Sequence, residues 1–216
     1  MTKAQLRKQK IKEETEMYNA KKKLISDAEA IEDLLADIPM FKNFEKNGLK
    51  CTVKSYNSCP EEFKEWVYEL TARHMQQYYE NSWGWSEKNK KSELFEEHTR
   101  YLIATQVETN RPIGFIHIRF EMEYKETTCY VYELQIEDEF QRRGLGRFLM
   151  QAAEFIALKR KMESVMLTVF VDNVGSRAFY KKMNYKLHPS TPVIADRENS
   201  AEYSHEILFK PLVKKT

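Results

Sequence analysis

The stretch QRRGLGRFLM, Gln141 to Met150, decides how this chain is read. Two glycines two apart follow two arginines and run straight into apolar residues. Ahead of it, YVYELQIEDEF, Tyr130 to Phe140, reads as a strand over Tyr130–Asp138. After it, Gly144–Lys161 reads as a helix with Leu145, Phe148, Leu149, Ala152, Phe155 and Ile156 on one face. A strand, a glycine turn and a helix make an anion site, because the first N–H groups of a helix lack internal partners and its dipole adds positive charge there. Gly144 and Gly146 would let a phosphate approach the backbone, and Arg142, Arg143 and Arg147 add donors suited to phosphate oxygens. The P-loop pattern GxxxxGK with Ser or Thr is absent. A dinucleotide GxGxxG fits poorly, with two glycines only, late in the chain, after antiparallel-looking strands. Taken alone, the stretch could also be an ordinary turn with solvated arginines.

Working outward, the chain reads as mixed α/β from Leu49 on. LKCTVKSY reads as a strand. Pro60 opens a helix with Phe63, Trp66, Val67, Leu70 and Met75 at helical spacing. A loop YYENSWGW, Tyr78 to Trp85, precedes a charged helix near Glu87–Glu97. Strands follow at Tyr101–Val107 and Ile113–Met122, around a turn at Asn110–Arg111. Ser164–Phe170 is a short, almost wholly apolar strand, of the kind covered on both sides. Gly175–Met183 reads as a helix and Tyr203–Phe209 as a closing strand. Residues 1–40 read as a helical arm with a frayed basic tip, carrying Met17, Leu24, Ala28, Ile31 and Leu35 as an apolar stripe, and 41–216 as the main domain. Between Met1 and Lys23 stand eight basic residues against three acids, either a solvated face or a nuclear address or nucleic-acid contact.

The 216 residues are 42% hydrophobic and 31% charged, enough for one core without staples, and a net charge of +2 does not argue for nucleic acid. Three cysteines with no CxxC pair point to free thiols in a reducing compartment, with Cys129 a plain buried thiol. No apolar run reaches transmembrane length and no signal-peptide pattern opens the chain, so a soluble, intracellular protein without membrane contact is expected. His74, His98, His117 and His188 show no metal spacing and HExxH is absent, so no metal is expected.

QRRGLG resembles the acetyl-coenzyme A signature of the GCN5-related N-acetyltransferase superfamily. NVGSRAFYKKMNY, Asn173 to Tyr185, is similar to that superfamily's second signature, in the same strand–helix–strand–helix order. The resemblance implies an α/β acetyltransferase fold. Its sheet is mixed and mostly antiparallel, and two parallel strands, here Tyr130–Asp138 and Ser164–Phe170, splay apart around the cofactor's pantetheine. YYENSWGW, YLIATQ, GFIHIRFEME, CYVYELQIE and VMLTVF narrow it to a resemblance to the N-alpha-acetyltransferase D (NatD) type, over roughly residues 40–210. That narrower resemblance implies acetyl transfer from acetyl-coenzyme A to the terminal serine of histone tails that begin Ser-Gly-Arg-Gly. It further implies a monomer in nucleus and cytoplasm, without stable nucleic-acid binding.

The chemistry needs few groups. A thioester is already activated, and no Ser–His–Asp or Cys–His constellation is visible. A terminal amine, with a pKa of about 7.7–8.0 against about 10.4 for lysine, is partly neutral at cellular pH and needs only mild help from a base. Glu133, a lone acid inside YVYELQI, is either a half-buried base or a solvent-face glutamate. As a base, it would have its pKa raised by burial. The resemblance implies the base. In strict alternation Tyr132 and Glu133 face opposite sides, so a β-bulge over residues 131–136 is predicted, re-aiming one of them and freeing an N–H. Tyr180 is either core packing or the donor to the leaving thiolate. By resemblance, Asn173 and Ser190 contact the coenzyme, and the backbone of Leu134, Gln135 and Ile136 binds pantetheine. Arg142, Arg143, Gly144, Leu145, Gly146 and Arg147 hold the pyrophosphate. The aromatic YYENSWGW is either a binding wall or a loop packed on the core. By resemblance, Tyr79 and Trp83 line the peptide slot with Tyr130, Tyr132 and Thr168. Glu121 would meet the tail arginine. In the last strand His205, or Tyr203 on the same face, stands where the NatD type has a tyrosine. A lysine or small-amine acetyltransferase and a non-catalytic histone-binding module are the alternatives.

Overall fold

A computed structural model of the chain describes residues 2–196, 198–199 and 203–212. Nearly continuous buried runs in its central strands build one eight-stranded sheet with helices on both faces. In chain order the elements are α1 (Lys3–Glu29), β1 (Asn43–Lys46), β2 (Leu49–Tyr56), α2 (Glu61–Glu80), α3 (Glu87–Phe95), β3 (Arg100–Gln106), β4 (Pro112–Glu123) and β5 (Glu126–Ile136). There follow α4 (Leu145–Lys159), β6 (Ser164–Phe170), α5 (Val174–Lys182), β7 (Lys186–Leu187), α6 (Pro192–Ala195) and β8 (His205–Pro211). The strand order is β1-β2-β3-β4-β5-β6-β8-β7. Every pairing is antiparallel except β5 with β6. The mixed, mostly antiparallel α/β fold expected from the sequence is the fold found.

Two apolar clusters hold the layers together. On one face Leu102, Ile116, Ile118 and Val131 meet Leu145, Leu149, Ala153 and Ile156 of α4 and Ala28 of α1. On the other, Tyr101, Ile103 and Phe115 meet Val67 and Leu70 of α2 and Leu94 of α3. The parallel ladder runs only from Thr128/Ser164 to Val131/Leu167. Beyond it β5 and β6 diverge, and the β6 side of residues 132–136 has no strand partner.

The arm departs from expectation in two ways. Its helix starts at Lys3, because Thr2 and Gln5 form a reciprocal capping box at 2.8 and 3.3 Å. Met17 is 59% exposed and lies off the docked stripe. Docking begins near Lys21, whose ammonium meets Glu163 at 2.7 Å. Arg100 then donates to the carbonyls of Glu29 and Ile31, satisfying the chain end of α1. The β1–β2 hairpin carries a local signal in its Asn47–Gly48 turn, with φ of 51° and 70°. β7 and α6 are too short to show a period in the sequence.

Candidate active site

The expected bulge is present and places the carboxylate. His117 pairs with Glu133, but Ile118 pairs with Val131, which leaves Tyr132 as an extra residue in β5. The insertion switches the face on which the following residues point. Leu134 packs with the α4-side cluster, while Glu133 and Gln135 turn toward α2 and α3. Tyr132 joins them, its ring 5.2 Å from His117 and 5.2 Å from Tyr130. Without the extra residue Glu133 would share the apolar side of Val131.

Glu133 is not the lone half-buried acid the sequence suggested. It is 4% exposed, and Lys90 of α3 places its Nζ 3.0 Å from Oε1 while Gln135 Nε2 donates to Oε2 at 2.7 Å. Lys90 was invisible in sequence, one of several lysines on a charged helix. His117 is fully buried beneath the same spot, stacked on Tyr101 at 4.8 Å. Burial, then the charge of Lys90, pushes its pKa down from 6.5 to about 3, so it is neutral. Tyr180, also buried, has its hydroxyl pushed up by burial and then by the Glu133 charge, which keeps it a proton donor at neutral pH.

Between the diverging strands lies a cleft of about 850 Å³, lined along its length by Glu133, Leu134, Gln135, Thr168, Asn173 and Tyr180. Gln141, Arg142, Gly144, Gly146 and Arg147 line its outer part. Gly144 caps α4 with φ of 100°, a conformation glycine alone adopts freely. Gly146 lines the cleft and also packs closely: a Cβ there would lie 3.2 Å from Ile136 Cδ1, so its bareness lets α4 seat against β5. Three coenzyme candidates are not among the residues lining the cleft. Arg143 lies outside the cleft lining, its guanidinium 5.6 Å from the Phe140 ring centroid and its carbonyl accepting from Asn47 at 3.0 Å. Leu145 buries its side chain in the core, leaving only main chain to a ligand. Ser190 lies outside the lining too, its N–H donating to His188 Nδ1 at 3.1 Å, because the turn after β7 folds onto β8. Asn173 does reach the cleft, but its side chain caps α5 by accepting from the Ser176 N–H at 3.0 Å.

The cleft fits coenzyme A. The free edge of β5 can take an extended amide-bearing arm as an added strand. The start of α4 with Arg142 and Arg147 suits a pyrophosphate.

YYENSWGW is only partly a loop. Tyr78 and Tyr79 lie in the last turn of α2, since the apolar period of that helix runs on to them. Tyr79, Trp83 and His205 gather around Phe170, with Trp83 5.0 Å from Phe170 and 4.8 Å from His205. Trp83 remains 53% exposed. Burial, then Glu133, pushes the Tyr79 pKa up to about 12. Of the two candidates in the last strand, His205 meets this wall, whereas Tyr203 precedes β8 and donates to Asp196 at 2.9 Å. The Tyr130 and Thr168 hydroxyls hydrogen-bond to each other at 2.5 Å, bridging the top of the parallel ladder. Glu121 accepts from the Tyr132 hydroxyl at 2.9 Å and opens on a second, acidic hollow with Glu29, Glu96 and Glu97. Burial pushes its pKa up, the Tyr132 hydrogen bond opposing.

Comparison with known proteins agrees with this geometry. The model of the acetyltransferase (GNAT) family matches residues 62–185. The uncharacterized protein YxbD of Bacillus subtilis (strain 168) is 25% identical over 103 residues. The match covers 41% of this chain and 61% of that protein, so the chain spans less than two thirds of that relative. Among solved structures, the PaiA N-acetyltransferase of Thermoplasma acidophilum, in complex with coenzyme A, is 17% identical with a TM-score of 0.53, covering 74% of this chain and 99% of its own. Naa50 of Arabidopsis thaliana, in complex with the bisubstrate analogue CoA-Ac-MVNAL, is 15% identical with a TM-score of 0.52, covering 74% and 99%.

Proposed function

The chain belongs to the acetyltransferase (GNAT) family, whose donor is acetyl-coenzyme A, and from that premise we propose that it acetylates the terminal amine of histone tails beginning Ser-Gly-Arg-Gly. The observation that carries the reading is the buried carboxylate of Glu133, turned by the bulge into a cleft whose far end is cationic. When bound, the donor supplies an activated acyl carbon: a C–N bond to the amine forms as the C–S bond breaks, one proton leaving nitrogen and one reaching sulfur. Glu133 accepts the proton from nitrogen, directly or through water. Tyr180, kept protonated by its burial, supplies the proton to sulfur in this reading. The start of α4 with Arg142 and Arg147 holds the phosphates, and the main chain of residues 134–136 aligns the arm.

Two features support a peptide terminus. Tyr79, Trp83 and His205 form an aromatic wall of the kind that grips an extended chain. Glu121 offers a carboxylate to a basic side chain entering behind it. That a protein of this fold takes an analogue joining coenzyme A to a peptide is in keeping with this.

Purified protein is incubated with labelled acetyl-coenzyme A and the peptide SGRGK, its terminus either free or blocked. Label is expected on the free form alone. Equal labelling of both would point to the lysine and sink the terminal reading. Label on neither, with labelled free amines instead, would move the protein to the small-amine class.

A further inference from the structure

Lys90 is 4% exposed, on a helix otherwise buried only through Leu94. Lysine is rarely buried unless paired, because desolvation disfavours its charge. Here all three ammonium donors are engaged: Glu133 Oε1 at 3.0 Å, the Tyr79 hydroxyl at 2.7 Å and Glu93 Oε1 at 2.5 Å. Burial pushes the pKa of Lys90 down, but Glu133, Tyr79 and Glu93 outweigh it and the net direction is up, so the ammonium persists. Its Nζ also sits 4.4 Å from the Tyr79 ring centroid. One cation thus holds a carboxylate of the cleft floor and a ring of the aromatic wall together.

The other groups around Glu133 do not duplicate it. From α2 come Tyr79 and His74, the latter linked through Gln135 at 2.9 Å. From α3 comes Glu93, an anion. From β3 and β4 come Tyr101 and neutral His117, with Arg119 beyond them turned to Glu96 and the Tyr132 ring. From β5 come Tyr132 and Gln135, and from α5 Tyr180. Among the described residues, Lys90 alone pairs a cation with the Glu133 carboxylate.

We propose, resting on the acetyl-transfer reading, that Lys90 is the positioning residue of this reaction, fixing the charge and aim of Glu133 and, through the same ammonium, the Tyr79 ring beside the entering amine. Lys90 lies outside the cleft lining and acts through those two groups.

The test is the pH profile of kcat/KM for wild type, Lys90→Met, Lys90→Arg, Glu133→Gln and the Lys90→Met/Glu133→Gln pair, with coenzyme binding measured by titration for each. Lys90→Met is expected to lose about 10–100-fold at pH 7, part of what one acid–base group contributes. Its acid limb is expected to move up by about 1–2 pH units, since a buried carboxylate without its cation takes a proton more readily. Activity then recovers as pH rises, which a merely structural defect would not produce. Lys90→Arg keeps a cation and is expected to leave the acid limb in place while raising KM for the peptide. The double variant, with no lone buried charge, is expected to be no worse than Glu133→Gln alone. An unmoved limb in Lys90→Met, a displaced limb in Lys90→Arg, or multiplying losses in the double variant overturns the proposal. If Lys90→Met does not fold, Lys90→Arg and the double variant decide. A wild type inert toward every amine overturns the acetyl-transfer reading itself, whereas an active wild type with an unmoved Lys90→Met profile overturns the role of Lys90 alone.

Discussion

The two halves of β5 are built from similar residues and do different work. From Thr128 to Val131 the strand has a neighbour on each side, β4 and β6, and buries Cys129 and Val131 in the core. From Tyr132 to Ile136 it keeps β4 alone, and its inward residues toward α2 and α3 are Glu133 and Gln135. The first half is ordinary sheet, stabilised by ladder and burial. The second buries a charge and a polar amide, which costs free energy unless every partner is supplied. Lys90, Gln135 and His74 supply them. One extra residue, Tyr132, separates the two regimes. Stability and chemistry should therefore respond separately to changes in the two halves.

The largest expected effect is in the upper half. Glu133→Gln should lower kcat by about 10²–10⁴-fold, the range for an acid–base group, while coenzyme binding by titration stays near wild type. A loss of binding equal to the loss of rate would show that the residue only shapes the cleft. In the lower half the effects should reverse. Leu167→Ala, on the β6 residue opposite Val131, removes a side chain only 1% exposed and should cost about 2–5 kcal/mol in urea unfolding. The folded fraction should retain its kcat; if it does not, the two halves are not separable.

A smaller effect comes from His117, paired with Glu133 across the β4–β5 ladder. Its folded pKa of about 3 lies below its ordinary 6.5. The unfolded chain therefore takes up a proton from about pH 6.5 downward, while the folded one does not until about pH 3. The stability it contributes is complete above 6.5 and is lost as pH falls toward 3. Between pH 7 and pH 5 that loss should be about 2 kcal/mol by chemical denaturation. His117→Phe should flatten the dependence, and an unchanged slope would locate the acid lability elsewhere. Smaller again, Gly144→Ala places a side chain at φ of 100° and should cost about 1 kcal/mol. It should also weaken coenzyme binding. Gly146→Ala meets a movable Ile136 tip at 3.2 Å and should cost less, which separates conformational need from close packing.

By itself the sequence determined what is local. The strand–turn–helix around QRRGLG, the helical period of α2 and α4, and the places of the central strands along the chain follow from spacing and from glycine, and they were legible. Even the bulge could be anticipated, because Tyr132 and Glu133 cannot share a face in an unbroken strand. The β1–β2 hairpin has only Asn47–Gly48 as its local mark. Only tertiary structure decided the partners. Lys90 and Glu133 are 43 residues apart, and nothing on a charged helix marks which lysine turns inward until α3 packs against the sheet. The same packing sent Leu145 into the core, folded Ser190 away beside β8 and gave Gly146 to Ile136. Periodicity tells which residues share a face. It does not tell what that face meets, because that is settled by how whole elements bury their apolar area together.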